Sequence, residues 1–180
     1  MDLPGGQPAG RATPAAAVGS EGVTIPGPTG QRMVVKLSGR DTSGAYSLIE
    51  YSHAARAAGP PPHVHHRHEE GFFVLDGELT LAVGAATITV AAGRSAVVPR
   101  GTVHRPSNAS DRPVRFIFIC SPPMDDFFVE LGELVTRTDG QPSAVDLREL
   151  GERHDSTFTD LPATDVVGIR NEHDPSSYPD

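Results

Sequence analysis

The chain has 180 residues, 37% hydrophobic and 21% charged, with a formal net charge of −8. That length allows one domain with a core of its own and leaves little room for two. The acidic balance, with no run of Lys or Arg, argues against nucleic-acid binding, and no apolar stretch approaches the roughly 18 to 20 residues that span a membrane.

Residues 1–30 are rich in Gly, Pro, Ala and Thr and read as a flexible arm with one short strand near residues 23–25. The first residues, MDLPGGQPAGRATPAAAVG, lack a continuous apolar core, so no signal peptide is expected. Strand-like runs follow closely: MVVKLS (33–38), GAYSLIEY (44–51), EGFFVL (70–75), ELTLAV (78–83), ATITVA (86–91), SAVVP (95–99), TVHRP (102–106) and VRFIFIC (114–120). Several alternate apolar and polar residues with period two, and Gly, Asp, Asn or Pro fills the gaps. Asp76-Gly77 between two such runs predicts a hairpin. About eight strands with no helix among them predict an all-β sandwich or barrel.

The pattern changes after Cys120. In PPMDDFFVELGELV, Phe127, Phe128, Leu131, Leu134 and Val135 recur at helical spacing, and Asp125 and Asp126 fall in the first turn, where the helix dipole favours acids. A second helix is expected over 144–154, with Ser143 as N-cap and Asp146 completing a capping box. The predicted organisation is an arm at 1–30, a β domain at 31–121, a helical extension at 122–160 and a flexible tail at 161–180. Cys120 is the only cysteine, so no internal disulfide can form, and a reducing cytoplasm is the expected location. It ends an apolar strand and reads as a small buried residue.

Four of the eight histidines fall in HVHHRHEE, residues 63–70. His63 and His65 are two apart, so on a strand both imidazoles face one side. Glu70 shares parity with Phe72 and Val74, a plausible inward face. His104 lies in a distant strand. Three imidazole nitrogens and one carboxylate oxygen suit a divalent first-row metal and leave positions open for water, substrate or dioxygen.

These residues resemble two sequence motifs of the cupin superfamily. The first is His-x-His, three or four residues, Glu, six residues, Gly, met here by His63, His65, Glu70 and Gly77. The second is Gly, five residues, Pro-x-Gly, two residues, His, three residues, Asn, met by Gly93, Pro99, Gly101, His104 and Asn108. The first motif usually opens on Gly five residues before its first His, whereas three residues separate Gly59 from His63. The resemblance implies a small antiparallel β-barrel, or jelly roll, with one or two C-terminal helices. His63, His65, Glu70 and His104 would hold one divalent transition metal per chain, Fe(II) being favoured over Mn, Ni, Co, Cu or Zn. Pro99 would then end a strand and Gly101 turn the backbone, so that His104 re-enters pointing inward. His66 and His68 stay unassigned, as solvent-facing residues or supports. Glu69 is the alternative carboxylate, and Asn108 reads as a turn-former. His53, His154 and His173 receive no role.

Within the superfamily the stretch from Gly59 to Leu81, with the helix that follows, is similar to single-domain bacterial quercetin 2,3-dioxygenase-like cupins. This implies a dioxygenase that cleaves a flavonol-like or other enolic or phenolic aromatic compound with O2. Glu70 would be both ligand and catalytic base, and Phe72, Val74, Phe116 and Phe118 the substrate pocket. Met124, Phe127 and Phe128 could close the mouth or pack on the outer wall. The alternatives are a redox-neutral cyclase or isomerase acting on a polyketide-like substrate, and a non-enzymatic ligand-binding cupin. The expected partners are a small aromatic substrate and O2, with neither nucleic acid nor membrane, and a second copy of the chain in a homodimer paired through exposed strand edges.

Overall fold

The computed structural model describes residues 21–27 and 31–161. Most of the expected N-terminal arm, and the tail beyond residue 161, lie outside the described residues. Eleven strands and two helices form among those described, in the order β1 (Val23–Pro26), β2 (Arg32–Leu37), β3 (Ser47–His53), β4 (His63–His65), β5 (Glu69–Asp76), β6 (Glu78–Val83), β7 (Ala86–Ala91), β8 (Ser95–Val98), β9 (His104–Ser107), β10 (Val114–Ser121), α1 (Asp125–Arg137), α2 (Ala144–Arg153) and β11 (Ser156–Phe158).

Every strand pairing is antiparallel. Six strands form one sheet in the order β1-β2-β3-β10-β5-β8, and five form the other in the order β11-β4-β9-β6-β7. The period-two alternation seen in the sequence decides which side chains face inward. Val114, Phe116, Phe118 and Cys120 alternate inward along β10, as do Glu70, Phe72 and Val74 along β5. Opposite them, Leu79 and Leu81 of β6 are fully buried in the same core. Burying one face of each sheet removes apolar surface from water at about 25 cal/mol per Å², the main stabilising contribution.

The result is a cupin-like jelly roll, as the motifs imply, whose two sheets are not closed into a barrel. The chain crosses between sheets at tight corners instead of continuing one ladder around the core. The Asp76-Gly77 corner shows this, and it corrects the hairpin expectation. β5 and β6 lie in different sheets, because β10 and β8 already occupy both edges of β5, while β7 and β9 occupy both edges of β6. Gly77, at φ 76°, turns the corner so close to the Pro113 carbonyl that a Cβ would lie 2.5 Å from its oxygen. Asp-Gly here serves the turn chemistry of a hairpin without the pairing.

The helices form where the sequence places them. Phe127, Phe128, Leu131, Leu134 and Val135 all lie on the buried side of α1. The capping box at α2 is complete: Ser143 Oγ accepts from the Asp146 amide at 3.1 Å, and Asp146 Oδ2 accepts from the Ser143 amide at 3.1 Å. No helix of the described residues is long and apolar enough to cross a membrane. One element escapes the sequence reading. Ser156–Phe158 forms β11, which pairs with β4 so that Ser156 lies opposite His65 and Phe158 opposite His63. Three residues carry too little periodicity to announce a strand, and only the neighbouring β4 makes this one.

Candidate metal centre

The expected constellation assembles. His63 and His65 face inward from β4, Glu70 is the second residue of β5, and His104 opens β9 directly opposite His63. All four are buried, and one ligand atom from each lies within 4.8 Å of the others. His104 arrives by the expected loop. β8 ends before Pro99, the Thr102 amide bonds to the Pro99 carbonyl at 3.2 Å, and the Gly101 amide donates to the His65 carbonyl at 2.7 Å. That last bond ties the two motifs together. Asn108 is the turn-former expected of it. Its side-chain amide donates to the carbonyls of Ala54 and Arg112, and its oxygen accepts from the Ser110 amide.

Each of the three imidazoles has an acceptor for Nδ1. His63 meets the Pro61 carbonyl at 2.9 Å, His104 the Thr102 carbonyl at 3.0 Å, and His65 the Ser156 hydroxyl at 2.7 Å. The Ser156 hydroxyl donates onward to the His154 carbonyl at 3.1 Å, which leaves its oxygen to accept from His65. With Nδ1 donating, each ring turns Nε2 toward the shared centre, the arrangement that orients histidine ligands in metal sites.

Glu70 sits among these nitrogens, with Oε2 2.8 Å from His104 Nε2 and Oε1 3.6 Å from His65 Nε2. Burial opposes its charge, yet the His104 hydrogen bond and the surrounding imidazoles hold the carboxyl down at about 2. Burial pushes His63 to about 3 and His65 to about 4, and neighbouring histidines add to both shifts, so both rings are neutral at ordinary pH. Burial opposes protonation of His104 too, but the Glu70 carboxylate outweighs it and raises the ring. Cys120, opposite Glu70 in the ladder, has its thiol 3.6 Å from Glu70 Oε1. Burial pushes that thiol well above its ordinary range, so it stays protonated and can donate. The neutral rings of His63 and His65, the ionised Glu70 carboxylate, and His104, which would give up its Nε2 proton on ligation, make a donor set that suits a divalent transition metal.

The remaining histidines separate from this group. His66 is exposed and bonds Thr157 Oγ1 at 2.9 Å, and Glu69 is exposed. His68 stands beside His65 at a ring separation of 6.1 Å, with its buried Nδ1 unpartnered. His154 pairs with Glu130 across the two helices at 2.9 Å. His173 lies outside the described residues.

The centre opens onto a cavity of about 460 Å³, within the usual range for small-molecule sites. Phe72, Phe116 and Phe118 line it as expected. Val74 does not and is corrected: it points inward, but its short side chain is fully buried in the core without reaching the cavity wall. Phe127 and Phe128 reach the wall from α1, while Met124 stays in the core. Sequence reasoning missed Tyr51, Met33 and Phe158, which also line the cavity. Tyr51 was legible in part, since β3 alternates inward and outward with the same period as β10.

An antiparallel jelly roll with a buried three-histidine, one-glutamate cluster that could hold a metal ion faces an apolar chamber, an arrangement that resembles the cupin architecture. The comparisons agree at that level. The family model described as Cupin domain matches residues 52–120, less than half of the chain. Germin-like protein 5-1 of Oryza sativa subsp. japonica is 40% identical over 90 residues, covering 47% of this chain and 39% of its own length. The chain thus spans well under half of that relative. Among solved structures, KdgF from Halomonas sp. matches with a TM-score of 0.52 at 20% identity, over 59% of this chain and 93% of that one. The polyketide cyclase RemF from Streptomyces resistomycificus matches at 0.50 and 20% identity, over 61% and 80% of the respective chains. At such identities the likeness concerns the fold alone.

Proposed function

We propose that the protein is a metal-dependent dioxygenase acting on a flavonol-like or other enolic or phenolic aromatic compound, with Fe(II) the favoured metal at His63, His65, Glu70 and His104. The observation that carries this reading is that a buried carboxylate and three oriented imidazoles open directly onto a chamber walled by Phe72, Phe116, Phe118, Phe127 and Phe128. A bound divalent metal would supply Lewis acidity toward a substrate oxygen and redox capacity toward O2. The chain's own residues do the rest. The aromatic walls hold the ring system and exclude water. Glu70, held as a carboxylate, would accept the enol or phenol proton only from a hydroxyl that ligation has made more acidic. Both atoms of O2 enter the products as a carbon–carbon bond breaks, so no external reductant is required.

The test combines metal analysis of protein purified without added metal with oxygen-electrode assays on a flavonol panel. Substrate-dependent oxygen uptake is expected, and Glu70→Gln, which keeps the shape of the side chain, should lower it by about 10² or more while the protein stays folded. Zinc in the centre with no oxygen uptake on any compound would sink the dioxygenase reading in favour of a redox-neutral cyclase or isomerase. The same proposal takes the functional unit to be a homodimer.

A further inference from the structure

The cavity has a second polar feature far from the metal centre. Gln31 precedes β2 and lines the cavity, although its residue is only 8% exposed. Its Oε1 accepts a hydrogen bond from the Tyr51 hydroxyl. Its backbone carbonyl accepts from the Gly27 amide at 2.9 Å, which fixes the position of the residue on the sheet. Among the described residues no hydrogen bond engages the amide nitrogen Nε2, which is not among the fully buried polar atoms, and the residue lines the cavity. With the oxygen engaged by Tyr51, the donor end of the carboxamide is left for whatever occupies the chamber.

Register places this group at the other end of the chamber from the metal centre. Glu70 pairs with Cys120, and Cys120 with Ser47, at the start of β3. Arg32, next to Gln31, pairs with Ser52 at the far end of β3. The five steps from Ser47 to Ser52 span about 17 Å at about 3.3 Å per residue. Between the two polar ends lie Tyr51, Phe72, Phe116 and Phe118. We propose that the Gln31 carboxamide is a specificity-determining group that donates a hydrogen bond to an acceptor on the distal end of an elongated ligand of two or more linked aromatic rings. Such a ligand carries a metal-binding oxygen pair at one end and a carbonyl-type oxygen at the other. This inference rests on the reading above that an aromatic, metal-binding compound fills the chamber.

The test measures binding to metal-loaded protein under anaerobic conditions, so turnover plays no part in it. The probes are 3-hydroxyflavone bearing a 4′-acetyl group and its 4′-isopropyl counterpart, which match in shape and differ in the acceptor. Wild-type protein should bind the acetyl compound about five- to tenfold more tightly, as one net hydrogen bond predicts. Gln31→Leu should bring that ratio to about one. Gln31→Glu keeps the acceptor for the Tyr51 hydroxyl, and so guards against a merely misfolded variant, but it lacks the donor and should remove the preference too. A wild-type ratio near one, a preference that survives both substitutions, or no binding of either probe overturns the proposal. Absence of oxygen uptake with the preference intact would instead count against the dioxygenase reading alone.

Discussion

At the scale of single residues, the histidines divide by what surrounds their rings. His53 carried no pattern in the sequence, yet it is completely buried on β3 against Tyr51 and Phe116, and neither ring nitrogen has a partner. Burial pushes its pKa down to about 3. Above its ordinary value near 6.5 the ring is neutral in both folded and unfolded chains. As pH falls below 6.5 the unfolded chain takes up a proton that the folded chain refuses until about 3, so stability is lost across that window. In the metal-free protein His63 and His65 act in the same direction, while the raised ring of His104 opposes them. We expect the melting temperature of the metal-free protein to fall from pH 7 to pH 4. His53→Leu should stabilise the protein by about 1 kcal/mol at pH 7, because it removes unpaired polar atoms from the core. It should also flatten the acid decline by up to about 1.4 kcal/mol per pH unit, the share of one proton. Thermal denaturation of both proteins across that range checks this, and an unchanged slope would show that His53 is not among the groups responsible.

At the scale of elements, the turns matter more than the strands they join. Gly59 departs from the usual motif by one position, but it does the work of a motif glycine. It adopts φ 77°, and a Cβ there would lie 1.9 Å from the Pro106 oxygen. The turn before β4 is thereby pressed against β9, two strands that both carry ligands. Gly59→Ala should destabilise the fold by about 2–3 kcal/mol through strain and backbone displacement. Because the displaced turn holds the Pro61 carbonyl that orients His63, the variant should also bind Mn(II) more weakly. Chemical denaturation and metal titration read the two effects. Wild-type stability in the variant would refute the packing argument. β11 makes a similar point from the other direction: it supplies Ser156 to His65, although nothing in STF announces a strand or a partner for a ligand.

For the whole molecule, the open sandwich leaves apolar groups outside as well as in. On the outer face of the six-stranded sheet, Val97 of the edge strand β8 is 59% exposed, and Phe73 and Ile119 beside it are also exposed. Gly71 pairs with both Val97 and Ile119, so no side chain separates them. The proposed homodimer would pair through this face and should then elute at twice the 19.0 kDa chain mass. Val97→Lys should shift it to monomer in sedimentation experiments, whereas a wild-type monomer at micromolar concentration would remove the dimer from the reading.

Much of this fold was legible because period-two alternation and turn residues are local signals. They marked the inward faces of β5 and β10, both helices, and the capping box at Ser143. The spacing of His63, His65, Glu70 and His104 was likewise written in the chain, because a metal site on strands needs fixed parity and a fixed return loop. Pairing partners were not legible. That Asp76-Gly77 joins two sheets and not two paired strands follows from which edges are already occupied, and that is settled only when all strands meet. The chamber depended on the same assembly. Phe72, Phe116 and Phe118 announced an inward face, but side-chain length against the packed core excluded Val74, and long-range register carried Gln31 to the far end of the chamber. The sequence by itself determined the candidate metal cluster and the inward faces, since both follow from spacing and parity along the chain. The tertiary structure alone decided the chamber's shape and its distal polar group, since both depend on residues brought together from distant strands.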